Sequence, residues 1–238
     1  MLNPAEEREY AKLREMGKRL HIPIPEALWK LEVLDKDGGI IKTHIQRSHS
    51  WVRNAYNILF CQLATKNGDD PSPNWGDGYL NLRQTNGNIY GYNHCIGICD
   101  SDLDDIPTTY GYIAGGGDDA RGIQVGSGTT VESLDDYVME TLINDGAGAG
   151  ELNYATAETH KVTWTAATRV MKDELVRYFN NNSGGSIDVN EVGLTARNAI
   201  SGTAMYIMMA RDKLSSTVTV PDTGQLKVTY TVQLTYPA

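Results

Sequence analysis

Residues 226–236 alternate without a break. Leu226, Val228, Tyr230, Val232, Leu234 and Tyr236 are apolar, while Lys227, Thr229, Thr231, Gln233 and Thr235 are polar. Successive side chains on a strand point to opposite faces, so this period of two predicts a long strand with one buried face. The same period recurs earlier. Trp29, Leu31 and Val33 alternate with Lys30 and Glu32, Asp35-Lys36-Asp37-Gly38-Gly39 supplies a turn, and Ile41, Thr43 and Ile45 resume the pattern. That is a hairpin signature. Further strands are expected near 80–83, 89–92, 110–113, 123–125, 161–166, 174–179, 187–194 and 218–220. Residues 204–211 are apolar enough for a central strand. Short strands separated by Gly, Asn and Pro turns, with few helices, predict a mainly β chain: an antiparallel, jelly-roll-like β-sandwich.

Two segments break the pattern. At residues 50–65, Trp51, Val52, Ala55, Tyr56, Ile58, Leu59, Phe60 and Leu63 are apolar around most of a helix, which predicts one buried helix anchoring the fold. Residues 1–20 predict a helical arm. Asn3 caps, Pro4 suits the first helical position, Glu6 and Glu7 complement the positive end of the dipole, and Lys18 and Arg19 the negative end. Its apolar residues, Tyr10, Leu13, Met16 and Leu20, make a narrow stripe among charges. They are the candidate interface residues, either against the chain's own domain or against a neighbouring subunit. The organisation expected is an arm (1–20) followed by one sandwich domain (21–238) with an acidic, Gly-rich insert at about 67–119.

Charge is unevenly spread over the 238 residues, whose formal net charge is −9: residues 1–66 carry +3, residues 67–160 carry −14 and residues 161–238 carry +2. Such a middle segment is expected to face water, a cation or a basic partner. It also argues against sequence-independent nucleic-acid binding, which needs clustered Lys and Arg. The N-terminus lacks a signal-peptide core, and the longest apolar run, 204–210, is far short of the ~18 residues of a membrane-spanning helix. Cys61, Cys95 and Cys99 are too few and too odd in number for a disulfide scaffold, so synthesis and folding in a reducing cytosol are expected.

No segment carries a complete chemical signature. Val125-Gly126-Ser127-Gly128-Thr129-Thr130 lacks the third glycine of a dinucleotide fingerprint and the lysine of a P-loop, so its glycines are read as turn glycines. Asp100, Asp102, Asp104 and Asp105 alternate as in calcium loops. An EF-hand beginning at Asp100 needs glycine sixth and glutamate twelfth, where Asp105 and Gly111 stand. These four remain weak cation candidates. His94, Cys95 and Cys99 lack the second ligand pair of a zinc site. His21, His44, His49, His94 and His160 pair with no nucleophile motif. No catalytic residue and no cofactor is expected.

Arg121-Gly122-Ile123-Gln124-Val125-Gly126-Ser127-Gly128-Thr129-Thr130 with Asp135-Asp136-Tyr137 resembles a recurring segment of structural proteins of tailed-bacteriophage virions. Arg177-Tyr178-Phe179-Asn180-Asn181-Asn182-Ser183-Gly184-Gly185, leading into Val189-Asn190-Glu191-Val192-Gly193-Leu194, is similar to the same proteins. So are Met209-Ala210-Arg211-Asp212, Val218-Thr219-Val220-Pro221 and Leu226-Lys227-Val228-Thr229-Tyr230, and the hairpin and helix around Trp29 and Ser50-Trp51-Val52-Arg53-Asn54. The resemblance implies a non-enzymatic virion structural component without fixing its place in the particle; a symmetric oligomer in the tail or the neck-and-connector region is expected. Head decoration is the alternative location. Its partners would be copies of itself and portal or connector, tail or major capsid proteins, with no membrane and no specific nucleic acid. A second class remains open: a receptor- or carbohydrate-binding module using Trp75, Tyr79, Tyr90, Tyr92, Tyr110 and Tyr112.

Overall fold

A computed structural model of the chain describes residues 2–64, 74–77, 79–91, 111–200 and 203–237. In chain order the elements are α1 (Pro4–Leu20), β1 (Ile24–Leu34), β2 (Ile40–Arg47), α2 (Arg53–Ala64), β3 (Leu82–Arg83), β4 (Ile89–Tyr90), β5 (Gly122–Gly126), β6 (Asn153–Tyr154), β7 (Lys161–Thr165), β8 (Val170–Asn180), β9 (Ile187–Ile200), β10 (Thr203–Val220) and β11 (Gln225–Thr235). The larger sheet runs β2-β1-β11-β8-β6, with β7 also on β8. The smaller runs β10-β9-β5, and β3 and β4 form a separate ribbon. Every strand pairing is antiparallel. The chain is a mainly β, sandwich-like fold, as its alternation requires.

The core lies between the sheets. Trp29, Leu31, Phe179 and Val228 of the larger sheet meet Ile123, Val192 and Val218 of the smaller in one buried cluster. Burial of such side chains contributes roughly 1.5–3 kcal/mol each before chain entropy is subtracted. The alternation at 226–236 becomes β11, a strand of the larger sheet that pairs with β1 on one side and β8 on the other. The opening hairpin forms as expected, although β1 begins at Ile24 rather than near Trp29.

The helix signals are also read out residue by residue. Asn3 Oδ1 accepts from the Ala5 N–H at 3.0 Å. At the other end His21 adopts a left-handed conformation (φ 54°), and the Ile22 N–H reaches the Gly17 carbonyl at 2.9 Å. This is a Schellman stop.

Two expectations are corrected. The 204–211 segment is not a central strand: β9 is the one strand that β10 pairs with among the described residues, and its other edge is met by the short run Ser50–Val52, with a bridge at Trp51, and by the Thr85 N–H. Its residues are apolar because both faces are covered, Met205, Ile207 and Met209 by the α2 cluster and Met208 by Val52 and Met139. The helix α2 is not buried all round. Ala55, Ile58 and Cys61 face inward, whereas Tyr56, Leu59, Phe60 and Leu63 are exposed. Of the expected strand at 110–113, residue 110 lies outside the described residues, and among 111–113 Gly111 alone makes a bridge, to Arg197.

Register across the larger sheet aligns side chains in rows on its inner face. Trp29, Tyr230 and Leu175 form one row, and Ala27, Val232, Asp173 and Val162 the next. Pro25, Leu234, Met171 and Trp164 form the last, at the sheet's margin. The first row is buried, while Pro25, Met171 and Trp164 at the margin are exposed.

Candidate interaction surfaces

The segments that carry the resemblance converge on buried charges. Arg177 lies on the inner face of β8 between Leu175 and Phe179 and is fully buried. Among the described residues no carboxylate pairs with it. Its guanidinium instead donates to five carbonyls, those of Gly115, Asp118, Arg121, Ile123 and Ala155. It also lies 4.7 Å from the Tyr154 ring centroid. Burial pulls its pKa down to about 10, against the pull of Tyr154 and the Asp118, Asp119 and Asp145 carboxylates, so it stays charged at neutral pH. One side chain thereby closes the carbonyl ends of a whole loop system, which leaving unpaired would penalise.

Glu191, fully buried on β9, does the converse and accepts from N–H groups. The backbone N–H groups of Gly128, Glu140 and Thr141 donate to it, and Arg211 Nε donates at 2.7 Å. Arg211 also reaches Asp136, Glu140 and the Thr130 carbonyl. The Gly126-Ser127-Gly128 segment thus holds an anion, but that anion is the chain's own carboxylate. Neither glycine has a positive φ. They are close-approach glycines rather than the turn glycines expected. A Cβ on Gly126 would come within 2.6 Å of the Thr141 carbonyl and also strike Glu191, and one on Gly128 would lie 2.5 Å from Glu140. Much of the acidity of 111–158 is spent in this way on the protein itself, with Asp118 on Arg121 and Asp135 on Arg53 besides.

A second buried carboxylate, Asp212, joins the strands to the start of α2. Asp212 accepts from Trp29 Nε1 at 2.7 Å and Ser48 Oγ at 2.6 Å on one oxygen, and from the His49 N–H and Ser50 Oγ on the other. Burial raises its pKa, and these donors oppose the rise. His49, Glu132 and Asp212 bring ligand atoms within 4.8 Å of one another. Both Asp212 oxygens already hold two donors each and the His49 ring pairs with Glu6, so the trio is a hydrogen-bonded junction.

The arm is fixed by charge. Arg47, at the end of β2, donates to Glu7 at 2.8 Å and to Glu26 at 2.6 Å, and its guanidinium sits 3.6 Å from the Tyr10 ring centroid. Arg14 also pairs with Glu26, and Gly17 packs on Ile24. Desolvation lowers the Arg47 pKa, but its bonds to Glu7 and Glu26 outweigh that and raise it overall. So α1 lies on the outer face of its own larger sheet. Tyr10 is engaged there, while Leu13, Met16 and Leu20 point outward and are exposed.

On the inner face no described element covers the same margin. Between α2 and the larger sheet lies a cavity of about 390 Å3, walled by Trp51, Leu59, Tyr112, Tyr230 and Val232. The Trp51 indole donates to the Tyr230 hydroxyl at 2.9 Å, and burial pushes that hydroxyl's pKa up to about 12. His160 and Asp173 line one side, joined Nδ1 to Oδ2 at 2.7 Å. Asp173 Oδ1 is buried and has no hydrogen-bond partner among the described residues.

No family model, curated protein or solved structure matches this chain. The surfaces are therefore read on their own chemistry.

The cation candidates Asp100, Asp102, Asp104 and Asp105, like His94, Cys95 and Cys99, lie outside the described residues. Of the aromatic residues considered for sugar stacking, Tyr90 and Tyr112 pack on the hydrophobic clusters, Trp75 is half-buried and Tyr79 is exposed, and Tyr92 and Tyr110 lie outside the described residues. Sequence reasoning missed the charged anchors. Their signal is parity: Arg177 falls in phase with Leu175 and Phe179, which puts a guanidinium on the buried face.

Proposed function

We propose that the chain is a non-enzymatic structural subunit of a tailed-phage particle, assembling as a symmetric oligomer in the tail or neck. One observation carries this reading. The separate segments that resemble virion structural proteins meet in space and are used on one another, through Arg177, Glu191 and Arg211. The likeness therefore lies in how the subunit is built. A subunit repeated by symmetry gains avidity from modest contacts. The outward stripe of Leu13, Met16 and Leu20, on a helix pinned by Arg47, is a rigid element for such a contact.

Gold-tagged antibody against the chain, imaged on purified particles, tests the reading. Label confined to tail or neck is the expected result. An even coat over the head makes the chain a decoration protein. Absence of label from both intact and disrupted particles overturns the virion reading.

A further inference from the structure

The bare margin of the larger sheet and the cavity beside it form one surface. On the inner face, Trp164 and Met171 lie one row outward of Val162 and Asp173, about 7 Å away at strand spacing. Trp164, Val162, Met171 and Tyr236 are all exposed there, Trp164 by 50%. Trp164 and Tyr236 meet edge to face at 5.6 Å, so the indole is held in place on the margin. Across the cavity, α2 exposes Tyr56, Leu59, Phe60 and Leu63, and Leu59 belongs to both the cavity wall and this stripe. The margin is clad on the outside by α1 but has no cover on this side among the described residues.

This surface holds both halves of a contact. The cavity is apolar and walled by aromatic rings, and Asp173, one of its lining residues, carries a buried Oδ1 that has no donor among the described residues. It calls for a ring with a single N–H or O–H group. One row away stands Trp164, an exposed ring with a single N–H group. A plug and a socket side by side on one face are what an isologous two-fold contact needs, since residue i of one copy meets residue j of the other and the reverse. The eight exposed side chains offer roughly 100 Å2 each, close to the ~800 Å2 per partner of a standard stable interface.

We infer that a second copy of this chain docks on this face about a two-fold axis, each Trp164 entering the other copy's cavity and donating its indole N–H to Asp173 Oδ1. The inference deepens the structural-subunit reading and rests on it only in taking the partner to be another copy. The α1 stripe lies on the opposite face of the same sheet and stays free for other contacts.

Analytical ultracentrifugation of the full purified chain across a dilution series is the test. A dimer is expected. Trp164→Ala and Asp173→Ala should each raise its dissociation constant by at least about tenfold, and Trp164→Phe, which keeps a ring but loses the donor, should fall between wild type and Trp164→Ala. Trp164 is exposed, so its variants should melt as wild type does, which separates lost docking from lost folding. A triple variant, Leu13→Ser, Met16→Ser and Leu20→Ser, should dimerise unchanged. A monomer throughout, a dimer indifferent to both Trp164 and Asp173, or one abolished by the triple variant overturns the inference. The virion reading fails separately, by absence of label on particles.

Discussion

The region wired by Arg177 and Glu191 and the bare margin carrying Trp164 belong to one sandwich and treat polar groups in opposite ways. In the first, charged side chains are buried and nearly every bond they make is to the chain itself: Arg177 closes five carbonyls, and Glu191 takes three backbone N–H groups and Arg211. At the margin, large apolar side chains face water and a buried acceptor lacks a donor. The first pattern fixes long loops that have little regular structure. The second leaves surface unspent. A charged residue buried and fully bonded thus marks architecture, whereas an exposed ring beside an unpaired acceptor marks a contact still to be made.

Substitutions sharpen this contrast. Arg177→Leu should be the most damaging, leaving five carbonyls to find new donors. A loss of about 4–5 kcal/mol is expected, read as a melting temperature lower by roughly 10 °C or as failure to fold. Arg47→Ala leaves Glu26 buried with Arg14 alone and releases Glu7, so about 3 kcal/mol should go, and proteolysis should cut first within residues 2–22. Gly126→Ala pushes a methyl group onto the Thr141 carbonyl and Glu191, for a loss of about 1–3 kcal/mol by chemical denaturation. The triple serine variant of Leu13, Met16 and Leu20 should move stability by no more than about 0.5 kcal/mol per site in the same assay, because these side chains touch water. A large loss there would mean the stripe is structural.

Local sequence carried much of the fold. The period of two drew β11 and the opening hairpin, and Asn3, Pro4 and the terminal charges drew α1 to within a residue of its ends. Residues 50–65 show the limit of such reading. Apolar composition says what prefers to leave water, not what will cover it, and half of α2 faces outward. The surfaces were hidden for a related reason. The row Pro25, Leu234, Met171 and Trp164 exists only through pairing of strands distant in the chain, and Glu191 meets Arg211 and the 126–141 loop by the same route. Parity marks which face a residue takes, but register across a sheet is a tertiary fact.

Hydrogen exchange on the full chain at several protein concentrations tests the central contrast most directly. The account predicts that amides held by Glu191, those of Gly128, Glu140 and Thr141, exchange slowly at every concentration. Segments 55–64 and 159–173 should gain protection as the protein is concentrated. Fast exchange around 126–141, or protection gained there and not at the margin, would contradict it.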